Sequence, residues 1–143
     1  MATYDHILLC IDLSDESDQV AARAAALRDS SSAKLSAIHI IEPLSFAYGG
    51  DIPMDFSNVQ AEIHKQASKQ LAAFADKYAI AQTDQHIVVG RAETEIHRFA
   101  KEQQIDLVVV GSHGRHGLAL LLGSTANGVL HGAACDVLAV RVK

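Results

Sequence analysis

The chain has 143 residues, 49% of them hydrophobic and 20% charged, which excludes a disordered segment and predicts one domain over 1–143 that buries about two-thirds of the surface its unfolded form exposes. A net charge of −5, with Arg115 the one Lys or Arg between Lys101 and Arg141, excludes a nucleic-acid platform. No apolar run reaches the ~18 residues of a membrane span, no basic n-region opens the chain, and Cys10 and Cys135 form no CxxC, so a cytoplasmic protein with reduced thiols is expected.

His6–Ile11 is a continuous apolar run, the pattern of a strand covered on both faces. Asp12 ends it, and Ser14 is placed to cap a helix whose first turn carries Asp15 and Glu16, with Val20, Ala21, Ala24, Ala25 and Leu27 as its apolar stripe. Leu35–Ile41 reads as a second strand with His39 as a hydrogen-bonded core histidine, and Pro43, Gly49, Gly50 and Pro53 mark a loop or lid over Glu42–Asp55. Val59, Ile63, Ala67, Leu71, Phe74 and Tyr78 recur every three or four residues, which predicts an amphipathic helix. Ile87–Val89 is a short strand, and Gly90 leads into a helix with Ile96, Phe99 and Ala100 on one face. Leu107–Val110 is the fourth strand, Ser124–His131 the last helix with Gly132 as its stop, and Val137–Val142 the fifth strand. The alternation predicts an α/β fold with an open five-stranded parallel sheet and helices on both faces.

Ligands of open α/β sheets bind at strand carboxyl ends where the strand order reverses. With the order 3-2-1-4-5, Asp12 after the first strand faces Gly111 after the fourth, and Ile40 forms a side wall. From Gly111 the chain runs Gly-Ser-His-Gly-Arg-His-Gly, then reaches Gly123, Ser124 and Thr125. Glycines there let backbone N–H groups approach an anion, and a following helix start favours negative charge. The pattern suits a nucleotide, with Gly111, Gly114, Gly123, Ser124 and Thr125 toward phosphates and ribose, His113 over the phosphate site, and Asp12 and the Ile40 backbone toward the base. Neither a Gly-Lys-Ser/Thr phosphate loop nor a Gly-x-Gly-x-x-Gly follows a strand here. Simpler roles stand beside these: Asp12 as a turn-stabilising residue, the glycines as plain turn residues, Ser124 as an N-cap. His113, His116 and His131 lack the acids and the spacing of a zinc site, and Cys10 has nothing basic near it in sequence to make it reactive.

Over nearly its whole length, from Ile7-Leu8-Leu9-Cys10-Ile11-Asp12 to the last strand, the chain resembles the universal stress protein family, and most closely its nucleotide-binding members in Gly111-Ser-His-Gly114 and Gly123-Ser124. The resemblance implies a Rossmann-like fold of order 3-2-1-4-5, a homodimer through the last strand (Val137 to Val142), and bound ATP or AMP, with Mg2+ accompanying ATP. It implies that Asp12 and Ile40 meet the base, and that Gly111, Gly114, Gly123, Ser124 and Thr125 meet ribose and phosphates, beside His113 and Arg115. Two departures stand out: eight residues, Arg115–Leu122, separate Gly114 from Gly123 where nine are usual, and Asp136 stands where many members have proline. No Gly-x-Ser-x-Gly elbow is present, and the loop carries neither carboxylate nor lysine for phosphoryl transfer. A binding module is therefore expected, with a slow ATP or AMP hydrolase and a nucleotide-free dimeric interaction protein as the alternatives.

Overall fold

A computed structural model describes residues 4–43, 57–112 and 124–142. The apolar runs become five strands: β1 (His6–Cys10), β2 (Lys34–Ile41), β3 (Gln85–Val89), β4 (Leu107–Gly111) and β5 (Asp136–Val140). All pair in parallel, in the order β3-β2-β1-β4-β5. The helices are α1 (Ser17–Ser31), α2 (Ser57–Asp76), α3 (Ala92–Glu102) and α4 (Ser124–Leu130), with a 3-10 turn at Gln82–Asp84 before β3.

Alternation along β1 divides the core into two layers. Ile7, Leu9 and Ile11 pack with Val20, Ala21 and Ala24 of α1 and Leu71, Phe74 and Ala75 of α2. Leu8 and Cys10 face the other side, against Ile96 and Ala100 of α3 and Val129 of α4. Burying each large aliphatic side chain contributes about 1.5–3 kcal/mol, which is why β1 from Ile7 to Cys10 and β4 from Leu107 to Val110 are apolar.

Several element ends differ from expectation. The α2 stripe extends to Tyr78 in sequence, yet the helix stops at Asp76 and Ala79 takes a left-handed φ of 57°. Tyr78 instead donates its hydroxyl to Asp18 Oδ1 (2.5 Å) while its carbonyl accepts from Arg28 Nη1 (2.5 Å), tying the turn to α1. Burial and the Asp18 carboxylate push the Tyr78 hydroxyl up to about 12. At the other end of that stripe Val59 is 50% exposed, so full burial begins only at Ala67. Finally, β5 stops at Val140 rather than Val142, because its ladder partner β4 ends at the Gly111↔Val140 pair. Much of the Glu42–Asp55 loop (residues 44–55) lies outside the described residues.

At the amino end of the sheet, two histidines sit on the α3 side. His6 Nε2 and Ser36 Oγ are 2.8 Å apart, and the His86 ring lies 4.7 Å from that of Phe99. Burial lowers both imidazole pKa values, with Lys34 adding to the effect, while Gln103 opposes it at His6 and Asp84 at both. A depressed histidine pKa means that the folded state binds protons less readily than the unfolded one. The associated stability is complete above the ordinary value of 6.5 and is lost as pH falls through and below it. Melting temperature is accordingly expected to drop between pH 7.5 and 5. A His6→Gln/His86→Gln double variant should give a flatter profile in calorimetric scans over the same range.

Candidate functional site

The β1–β4 ladder is short, running only from Ile7↔Leu107 to Leu9↔Val109. Past that point each strand stays bonded to its outer neighbour. Cys10 remains opposite Ile38 and the Ile11 N–H donates to the Ile38 carbonyl at 3.1 Å. On the other side Val110 and Gly111 remain opposite Ala139 and Val140, and the Ser112 N–H donates to the Val140 carbonyl at 2.8 Å. The sheet therefore opens between β1 and β4 at its carboxyl end. This is the switch point, where a crevice forms because consecutive crossovers leave on opposite faces.

The β1 wall is built around Asp12. Its Oδ1 accepts from the Ser14 N–H (3.0 Å), the Ser14 hydroxyl (2.6 Å) and the Ser17 hydroxyl (3.1 Å). Ser14 is thus not the helix cap expected from sequence. It belongs to an aspartate-centred turn, α1 starts at Ser17, Glu16 stands in the cap position without a side-chain bond, and the first-turn acid is Asp18. Leu13, between them, adopts a left-handed φ of 60°, a conformation that costs about 1 kcal/mol or more outside glycine and is tolerated where neighbours over-determine it. Burial pushes the Asp12 pKa up, but the Ser14 and Ser17 hydrogen bonds outweigh it and the net shift is downward, so the exposed carboxylate is charged at neutral pH. Its contribution to stability is present above the ordinary value of 3.8 and lost as pH falls below it.

One strand further out, His39 Nδ1 donates to the Ile11 carbonyl at 2.9 Å, as expected for a hydrogen-bonded histidine, although it is half-buried. A carbonyl only accepts, so Nδ1 carries the proton. Continuing the Cys10↔Ile38 register by two residues sets Ile40 level with Asp12, in the position of a side wall.

On the β4 wall, Gly111 is the last residue of the strand rather than the start of the loop. Ser112 follows it, 7% exposed, and its hydroxyl has no hydrogen-bond partner among the described residues. Sequence reasoning passed over this serine; the signal was a polar residue directly after a fully buried strand. His113, Gly114, Arg115 and Gly123 lie outside the described residues, as do His116 and the eight-residue spacer. Ser124 and Thr125 open α4, their side chains also outside what is described, and Gly132 (φ 80°) terminates that helix region as expected. Among the described residues no three His, Cys, Asp or Glu side chains converge as metal ligands, and none of the helices is long and apolar enough to cross a membrane. Cys10 is a buried packing residue whose thiol is pushed strongly upward by burial.

An open parallel sheet of this order, parted at its switch point, defines a Rossmann-like α/β protein. The family model described as Universal stress protein family matches residues 3–141. Universal stress protein A homolog 1 of Coxiella burnetii is 42% identical over 141 residues, 98% of either chain. The chain belongs to the universal stress protein family. Among solved structures, the universal stress protein UspA from Lactobacillus plantarum superposes over 100% of both chains with a TM-score of 0.78 at 21% identity. A universal stress protein in complex with cAMP superposes over 98% of both chains with a TM-score of 0.63 at 24% identity.

Proposed function

We propose that this chain is a cytoplasmic, homodimeric binding module for an adenine nucleotide, ATP or AMP, seated between the carboxyl ends of β1 and β4. The observation that carries the reading is the parted seam with a charged carboxylate, Asp12, on one wall and, on the other, the buried hydroxyl of Ser112, which has no partner among the described residues. A buried hydroxyl without a partner forfeits about 1–3 kcal/mol, which a ligand atom restores. The anionic Asp12 repels phosphate and accepts from base or ribose donors, so the phosphates belong on the β4 side, toward Gly111, His113, Gly114, Arg115, Gly123, Ser124 and Thr125. The cAMP complex of a relative of the same fold supports an adenine ligand. When ATP is the ligand, Mg2+ accompanies its phosphates.

Turnover is not part of this reading. In this reading Asp12 meets base or ribose, away from the phosphates, and so is poorly placed as a general base for their hydrolysis, and donors that meet ground and transition states equally do not accelerate a reaction. The dimer is proposed to form by antiparallel pairing of β5, whose apolar residues otherwise line an open sheet edge.

Calorimetric titration with ATP, AMP and cAMP tests the binding. Saturation at a hundred times Kd is expected to stabilise the fold by about 2.7 kcal/mol. The absence of both heat and melting shift at millimolar nucleotide refutes the proposal. Phosphate release at ~1 s⁻¹ or faster with ATP and magnesium, abolished by Asp12→Ala, favours the hydrolase instead.

A further inference from the structure

Helix α4 has seven residues, fewer than a helix needs to persist on its own in water, so its position depends on what grips it. Val129 is fully buried among Ile96, Ala100, Val108 and Val110. Gly128 lies so near α3 that a Cβ there would stand 3.0 Å from Glu93 Cβ. Both contacts are apolar or steric and leave the polar end of the helix open. A carbonyl in the last turn has no donor within its own helix. The Val129 carbonyl finds one across the interface: His97 of α3 donates its Nε2–H to it at 2.8 Å. The same imidazole covers the chain just beyond the helix, with Cε1 3.8 Å from where a Cβ on Gly132 would stand.

We infer that His97 is a positioning residue that clamps the carboxyl end of α4 to α3 and, through that short helix, fixes the Ser124 end that the proposed function sets toward the phosphates. At seven residues the helix is about 10 Å long, so a slip at Val129 is transmitted to Ser124 with little loss. The second half of this inference rests on the nucleotide reading above; the clamp itself does not. The His97 bond ties α4 to a residue 32 positions away in sequence.

The test compares His97→Ala with His97→Gln in the full chain, since glutamine retains an N–H donor at a similar reach. In nucleotide-free protein, amide exchange over residues 128–131 is expected to accelerate about tenfold in His97→Ala, with β1 and β4 amides unchanged, and to stay within about threefold of the parent in His97→Gln. Affinity for AMP or ATP should fall about five- to tenfold in His97→Ala, the size of one net hydrogen bond, and recover in His97→Gln. Unchanged exchange in His97→Ala, or a His97→Gln variant indistinguishable from it, overturns the clamp. Faster α4 exchange with undiminished nucleotide affinity overturns the link to the crevice. A parent protein that binds no nucleotide refutes the function proposed above, and the exchange data then still decide the clamp. Should His97→Ala not fold, a nitrogen-15 spectrum of the unsubstituted protein decides it: a neutral His97 protonated on Nδ1 instead of Nε2 overturns the assignment.

Discussion

Gly114→Val is expected to abolish the nucleotide-dependent rise in melting temperature, removing the whole of the ~2.7 kcal/mol that saturating ligand supplies. Gly114 is the first glycine after β4, in the segment to which the proposed function assigns the phosphates. A β-branched side chain there fills the approach through which backbone N–H groups reach a phosphate. The companion variant is Asp12→Asn, which keeps an Oδ1 able to accept from Ser14 and Ser17 while deleting the charge. It should weaken binding by about 1.5–3 kcal/mol, the span of a hydrogen bond to a charged group, and so reduce the shift without erasing it. Calorimetric titration of both variants beside the parent checks this. A Gly114→Val protein that melts cooperatively and still shifts with ATP shows that the phosphates do not lie on the β4 side.

Leu138→Pro is expected to convert the proposed dimer to monomer. Leu138 sits mid-strand in β5, opposite Val109 of β4, and β5 is the last strand of the sheet. Proline removes a backbone donor and fixes φ, which edge pairing between two such strands does not tolerate at its centre. Sedimentation at micromolar concentration reads the outcome, with circular dichroism confirming that the α/β fold remains. A parent protein that sediments as a monomer, or a folded Leu138→Pro protein that remains dimeric, places the interface elsewhere or removes it.

The strands were legible because burial on both faces demands unbroken apolar runs, and Ile7-Leu8-Leu9 and Leu107-Val108-Val109-Val110 satisfy it. The strand order was what the family resemblance implied, and it was found as expected. What misled was local competition. Ser14, Asp15 and Glu16 carry every sign of a helix start, but the Asp12 carboxylate captures Ser14 first and delays α1 to Ser17. Tyr78 continues the period of α2, yet its hydroxyl gains more from Asp18, a partner 60 positions away in sequence that periodicity does not register. At the crevice, Asp12 and Gly111 were legible from their place at strand ends. Ser112 was visible only as a polar residue directly after an apolar strand; that its hydroxyl has no partner among the described residues is a property of packing.

The ladder joining β1 to β4 holds only three residue pairs, while β1 and β2 share five and β4 and β5 share five. Mechanically the sheet is two leaves, β3-β2-β1 and β4-β5, sewn along a narrow hem. Whatever lies across the open end of that hem touches both leaves at once and acts as an extra stitch. If the proposed nucleotide sits there, its occupancy would stiffen the sheet across the seam toward β5, with no lid to close and no domain to turn.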